Sequence, residues 1–324
     1  PAGTSAAVTR QEIAASASGT SSDSKVEVMQ RTVSGAAAIL ARQISAGEID
    51  AAVAIGGGQG SWLASAVLRP LPIGFPRLLV STAGRDVGQY TQFSDLASMF
   101  SITDVAGTNP LLRRVLTNAA AAITGMARSQ EWRQPLPSGM VAISVYGITT
   151  AGANVAMAEL ASAGLNPVSF HANGVGGPTM EGQIAAGTFE AVLDWSITEL
   201  ADEVVGGVCT AGPTRLTNAV AKGLPQVVVP GGLDVVNYGR RESVPARFDQ
   251  RRFPAHTPEA TLMRTDVAEN QQLARLVADR LNPTTAPVRV LIPALGFSAL
   301  SGPDGPLHDP AADAAFVDEL QIGR

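Results

Sequence analysis

Short, unbroken apolar runs, each followed by a glycine-bearing turn or a helix-length segment, constrain this chain more than any other feature of its sequence. "AAVAI" (51–55), "RLLVS" (77–81), "MVAISVYG" (140–147), "PQVVVPG" (225–231) and "VRVLIPA" (288–294) do not alternate polar with apolar positions. Each therefore predicts a strand buried on both faces. "LASMFSI" (96–102), "PVSFHA" (167–172) and "FEAVLDW" (189–195) read as further strands. Between them lie segments of helical character: 26–46, where Val28, Met29, Val33, Ala36, Ala37, Leu40 and Ile44 recur at helical spacing, then 61–68, 110–127, 151–163, 180–186, 214–222 and 266–281. Strands alternating with helices predict mainly parallel sheets covered on both sides.

At 324 residues the chain is too long for one ordinary compact core. "RSQEWRQPLPSG" (128–139) has the composition of a linker. The expectation is two doubly wound, Rossmann-like α/β domains, 1–134 and 135–324. Residues 1–24 are small and polar and read as a loosely ordered lead-in. The first domain thus opens on a polar stretch and a helix instead of a strand. It lacks an opening β–α–β unit, which the full-length product is expected to carry upstream.

Composition narrows the function classes. No apolar run approaches the roughly 20 residues of a membrane-spanning helix. The formal net charge is −5, the only lysines are Lys25 and Lys222, and the arginines are scattered, so nothing tracks a nucleic-acid backbone. One cysteine, Cys209, excludes an internal disulfide and makes a reducing cytoplasm the simplest location. Residues 239–265 form the longest irregular stretch, and its five clustered arginines read as a solvated loop ahead of an anionic-ligand or subunit contact.

"AIGGGQGSWLASAVL" (54–68) is the segment most suggestive of chemistry. Gly56, Gly57, Gly58, Gln59, Gly60 and Ser61 join a strand to a helix, leaving backbone N–H groups at the positive end of the helix dipole with few β-carbons to keep a phosphate away. The P-loop lysine is absent, and the spacing is not the dinucleotide-binding G-x-G-x-x-G. The alternative is a tight turn that binds nothing. "STAGRD" (81–86) and "TDVAGTN" (103–109) follow the next two strands, so Ser81, Thr82, Gly107 and Asn109 are expected along the same edge, although each alone also suits a turn or helix cap.

The second half repeats the pattern. "HANGVGGPTMEG" (171–182) leaves a strand at His171 and passes Gly176 and Gly177 before entering a helix that carries Glu181. His171 is one of three histidines and suits a general acid or base, or a histidine held by backbone hydrogen bonds. Glu199, Asp202 and Glu203 recur at helical spacing; they could hold Mg²⁺ through oxygen, with a solvated helix face favoured over it. Cys209 reads as a buried structural thiol.

"IGGGQGSWLASAVLRPLPIGFPRLLVSTAG", "SDLASMFSITDVAGTNPLLRRVLTNAAAAITGMA", "FHANGVGGPTMEG", "ELADEVVGG", "AGPTRL" and "PQVVVPGGLDVVNYG" resemble, in order, the amino-terminal ATP-binding domain family of the tomato mosaic virus resistance protein and its bacterial relatives. The resemblance implies two α/β domains with a nucleotide site, in a homodimer or larger homo-oligomer. It supplies no reaction. The resulting expectation is a protein binding ATP, with or without Mg²⁺, or another phosphorylated small molecule at the strand ends in the interdomain cleft. Gly56 to Ser61, Ser81, Thr82, Gly107 and Asn109 form the phosphate side, while His171, Gly176, Gly177 and Glu181 face a second, unidentified small molecule. The alternatives are an ATP-dependent ligase, kinase or hydrolase acting on a carboxylate or sugar, with His171 as acid/base and Asp194 or Glu199 as metal ligand, and a nucleotide-sensing interaction module.

Overall fold

The computed structural model describes residues 6–17, 24–85, 87–254 and 256–321. The chain divides into two compact units, Pro1–Pro135 and Leu136–Arg324. The fold is α/β with mainly parallel sheets in both units, as the apolar runs predict.

In the first unit, α1 (Arg10–Ala15) and α2 (Lys25–Ser45) precede the alternation β1 (Ala52–Gly56), α3 (Gly58–Leu68), β2 (Arg77–Ser81), α4 (Val87–Thr91), β3 (Ala97–Phe100) and α5 (Pro110–Ala127). The lead-in reading is corrected over α1: Thr9 and Glu12 form a capping box, the Ser/Thr-x-x-Glu arrangement that satisfies the free donors of a helix start. Residues 1–5 and 18–23 of that stretch lie outside the described residues, as does Asp86.

The three strands pair in parallel in the order β1-β2-β3. Alternate residues of β2 serve opposite faces. Leu79 packs with Ile44 and Leu68 from the α2 and α3 side, whereas Leu78 and Val80 pack with Ala119 of α5. That double burial is the reason "RLLVS" carries no polar alternation. Buried Arg77 fixes the far end of α3 by donating to the carbonyl oxygens of Leu68 (2.7 Å) and Leu71 (2.9 Å) and by pairing with Asp95. A cation there also complements the negative end of the helix dipole.

The second unit contains β4 (Met140–Val145), α6 (Thr150–Ser162), β5 (Asn166–His171), α7 (Gly176–Ala185), β6 (Ala191–Ser196), α8 (Thr198–Val205), α9 (Thr217–Lys222), β7 (Gln226–Gly231), β8 (Val235–Tyr238), β9 (Thr261–Arg264), α10 (Val267–Leu281), β10 (Val288–Val290) and α11 (Pro310–Glu319). Five parallel strands lie in the order β10-β7-β6-β4-β5, and β8 pairs with β9 in antiparallel fashion. One core joins Met180 and Ile184 of α7 and Ala219 of α9 to Ala142 and Val192; a larger one gathers α8, α10, α11 and the β8/β9 pair around Leu200, Met263, Leu273 and Phe316.

Several boundaries differ from expectation for physical reasons. α9 starts at Thr217 because Leu216 adopts a left-handed φ of 71°, which interrupts the helix read from 214. α3 starts at Gly58, so two of the opening glycines belong to the helix itself. The arginine-rich stretch is pinned more firmly than a solvated loop: Arg251 pairs with Asp266 and Glu269, Arg252 with Asp309, and Arg247 donates to the Val205 carbonyl. Arg240 and Arg241 form exposed ion pairs with Glu259 and Asp249, and the Arg252–Asp309 pair is exposed as well.

Candidate functional site

The two glycine-rich turns, alike in sequence, differ in what surrounds them. In the first unit, Gly57 is the N-cap of α3 and makes no side-chain cap bond, and Ser61 N–H to Gly57 O (2.7 Å) closes the first turn. The N–H groups ahead of Ser61 have no carbonyl partner within the helix, because the chain that would supply it has already left helical geometry. Neither Gly58 nor Gly60 has a left-handed φ, and a β-carbon at either would meet no atom within 4 Å. Gly56 differs, since a β-carbon there would lie 2.9 Å from the Gly60 backbone. Tyr90 donates to the Gly58 carbonyl oxygen (3.3 Å), and the exposed Gln59 amide reaches Met29 Sδ.

Ser61 and Ser81 are turned into the packing. Both are fully buried and share a hydrogen bond of 2.6 Å, with the Ser81 hydroxyl also accepting from Ala83 N–H. They tie α3 to β2 behind the turn. Half-buried Thr82 stays beside Gly57, its Oγ1 3.4 Å from where a Gly57 β-carbon would sit. Exposed Arg85 follows in the same loop as Thr82 and brings a cation to that loop. Asn109 is the N-cap of α5, accepting from Leu111 and Leu112 N–H and donating to Thr103; Gly107 takes a φ of 90° in the turn before it.

The second glycine turn is already filled. Glu199, itself wholly buried, accepts the N–H groups of Gly174 (2.8 Å) and Gly177 (3.1 Å), so the start of α7 holds a carboxylate from its own chain. Gly176 and Gly177 are required by packing, as β-carbons there would fall onto the His171 carbonyl and the Glu199 carboxylate. Glu181 is likewise turned inward, accepting from Leu216 N–H (2.5 Å) and Asn218 N–H (3.2 Å). The expectation of a solvated acidic face on α8 is corrected, since Glu199 and Asp202 are buried, as Glu181 is on α7.

What sequence reading missed is Arg215. Fully buried, it pairs with Asp194 (2.5 Å), Glu199 (2.9 Å) and Glu181 (3.5 Å), and donates to the Ser196 carbonyl. Its guanidinium stands where Mg²⁺ would have to sit between Asp194 and Glu199, so these acids are neutralised by arginine and not presented to a metal. Burial pushes Glu181 up to about 7 against the pull of Arg215. Asp202, which accepts from Asn237 N–H (2.9 Å) and the Asn237 amide (2.7 Å), is likewise raised by burial to about 7.

His171 is exposed and stacks on Tyr146, with ring centroids 5.5 Å apart at 26°. The Tyr146 hydroxyl donates to Asn237 Oδ1 (2.6 Å), and burial raises it to about 12. Cys209 is half-buried, not buried, and burial together with Asp202 and Glu199 raises its thiol to about 12, which suits an inert thiol. Among the described residues no group of three or more His, Cys, Asp or Glu side chains is arranged to hold a metal ion. A largely apolar cleft of about 400 Å³ lies along β1, between Leu40 of α2 and Val67 of α3, but its lining offers few convergent polar groups.

Fold and site together define a two-unit α/β protein with parallel sheets, whose first unit carries an open glycine turn at a helix start and whose second unit closes the equivalent turn with its own carboxylate. The model for the N-terminal domain of the Uncharacterised protein family (UPF0261) matches residues 1–132, and that for its C-terminal domain matches 138–323. The chain belongs to the UPF0261 family. It is 36% identical over 297 residues to a UPF0261 protein of Clostridium tetani, covering 91% of this chain and 73% of that protein. Similarity to a UPF0261 protein of Rhizobium meliloti is 40% over 276 residues, 85% of this chain and 69% of the relative. The ToMV resistance protein Tm-1(GCR237) of Solanum lycopersicum is 37% identical over 276 residues, 83% of this chain and 37% of its own length. The chain thus spans about seven tenths of these bacterial relatives and little more than a third of the tomato protein. No helix among the described residues is long and apolar enough to cross a membrane.

Proposed function

We propose that the first unit binds the phosphate groups of ATP, or of another phosphorylated small molecule, at the amino-terminal turn of α3. The pair Gly58 and Gly60 carries this reading. Glycine is a poor helix former, and in this first turn neither a left-handed φ nor a close neighbour requires it. A reason outside the fold remains: bare backbone lets an anion approach the free N–H groups at the positive end of the helix. Exposed Arg85 and half-buried Thr82 lie on the next loop of the same sheet edge. The resemblance to an ATP-binding domain supports ATP as the first ligand to try.

Gly58→Val separates the readings, because a β-carbon at this position meets no neighbouring atom and the fold should tolerate it. In calorimetric titration, wild type should bind ATP and Gly58→Val should bind it at least about tenfold more weakly, the loss of one charge-assisted contact, with unchanged circular dichroism. Equal uptake by both proteins would reduce the glycines to a turn.

A further inference from the structure

We propose that Phe100 is the specificity-determining residue of this site: its ring receives the flat face of a nucleotide base, so that the site selects nucleotides over phosphates that lack one. This rests on the phosphate reading of the α3 turn. Gly56 is in register with Ser81, and Ser81 with Phe100, so the three stand in one row across β1, β2 and β3. Two strand spacings separate the ends of that row, about 10 Å, comparable to the span from phosphates to base in a nucleoside di- or triphosphate.

The row also fixes the face. Ser81 points toward α3, where it meets Ser61, and a residue in register on the neighbouring parallel strand points the same way. Phe100 therefore stands on the side of the sheet where α3 begins. α3 packs on β1 and β2, and on β3 the side chains of this face, Ser98 and Phe100, are left exposed. Phe100 is 49% exposed, and Gly84 lies against one face of its ring, where a β-carbon would come within 2.8 Å.

Two residues on, Ile102 is 59% exposed and has a φ of 66°. A β-branched residue in the left-handed region is strained, and burial of its own side chain does not offset that strain. The turn is nonetheless fixed: the Ser101 hydroxyl donates to the Thr103 carbonyl (2.6 Å), and the Asn109 amide donates to Thr103 Oγ1 (3.1 Å). It holds two apolar side chains in water beside an anion site. Strain retained by a fixed turn is expected where a ligand is bound.

Three polar side chains of the turn, Thr103, Asp104 and Asn109, make bonds within it. Thr103 donates to the Asp104 carbonyl, Asp104 accepts from Val105 N–H, and Asn109 caps α5. The contact with Phe100 is made by the base's flat face, which every base possesses, so that contact accepts adenine and guanine alike.

The test is calorimetric titration of wild type, Phe100→Ala, Phe100→Tyr and Gly58→Val with ATP, GTP and tripolyphosphate at one magnesium concentration. Wild type should bind ATP and GTP within a few-fold of each other and roughly five- to hundredfold more tightly than tripolyphosphate, the range for one base on one aromatic side chain. Phe100→Ala should bring ATP to the level of tripolyphosphate while leaving tripolyphosphate affinity unchanged. Phe100→Tyr should keep the preference. Wild type taking ATP and tripolyphosphate equally well, or Phe100→Ala binding ATP as wild type does, overturns the role of Phe100 while the phosphate site stands. Wild type binding neither overturns both, and tripolyphosphate affinity unaffected by Gly58→Val overturns the placement of the phosphates at this turn.

Discussion

Gly58 and Gly177 each stand in the first turn of a helix that follows a parallel strand, yet a methyl group added at the two positions meets different surroundings. At Gly58 it enters open space on a backbone that any residue can adopt; at Gly177 it falls on the Glu199 carboxylate, which is buried and paired with Arg215. The same substitution should therefore act with opposite sign. Gly58→Ala should stabilise the unliganded protein by up to about 1 kcal/mol, through helix propensity and a less flexible unfolded chain, and weaken ATP binding in the same protein. Gly177→Ala should destabilise by about 1 to 3 kcal/mol, the usual penalty for forcing extra volume into a packed site. Denaturant unfolding of both variants tests the pair, and a destabilised Gly58→Ala would show that the α3 turn needs glycine for folding. The sequence made both turns visible but could not rank them, since the carboxylate filling one comes from 22 residues further along the chain, through the hydrogen bond of Gly177 to Glu199.

At the scale of elements, Arg215 joins three pieces of the second unit: α7 through Glu181, β6 through Asp194 and α8 through Glu199. It also precedes left-handed Leu216, whose N–H is held by Glu181. Removing the guanidinium leaves three buried carboxylates facing one another, so Arg215→Met should destabilise by about 3 to 5 kcal/mol at neutral pH. Protonation relieves carboxylate repulsion, so the deficit relative to wild type should shrink toward about pH 5. A deficit that stays constant or grows on acidification, in denaturant unfolding at both pH values, contradicts this account. The sheets were legible because strands buried on both faces leave continuous apolar runs, as "RLLVS" and "MVAISV" do. The charge cluster was not: the 3.6-residue spacing of Glu199, Asp202 and Glu203 fits a solvated face as well as a buried one, and only tertiary contact with Arg215 and Asn237 distinguishes them. β8 and β9 escaped detection for a related reason. They are four-residue strands on either side of the arginine-rich stretch, and no local pattern announces their pairing. Phe100 lies in a strand that was legible; its exposure depends on α3 stopping short of β3, which no sequence period encodes.

Across the whole molecule, acidic groups that burial pushes upward concentrate in the second unit. Glu181 and Asp202 rise to about 7, and Asp234, Glu269 and Asp313 are raised as well, each chiefly by burial. Asp266 in that unit and Glu12 in the first are lowered and act in the opposite sense. For Glu181 and Asp202, protons are bound in both states below the unfolded values of 4.5 and 3.8. Between those values and about 7 the folded chain keeps protons that the unfolded chain has released, so their contribution is fully present in acid and is lost as pH rises through about 7. A formal net charge of −5 works in the same direction, because deprotonation adds to self-repulsion. The melting temperature should accordingly fall between about pH 4.5 and about pH 7. Asp202→Asn distinguishes the local cause from the global one. The variant keeps an acceptor oxygen for the backbone N–H groups of Asn237 and Cys209 but carries no proton that can be released. Its melting temperature should decline less steeply with pH than that of wild type, whereas self-repulsion spread over the surface would leave the slope almost unchanged. A wild-type melting temperature that is flat or rises across this range would mean that the hydrogen bonds to Glu181 and Asp202 outweigh their burial and keep both ionised in the folded protein.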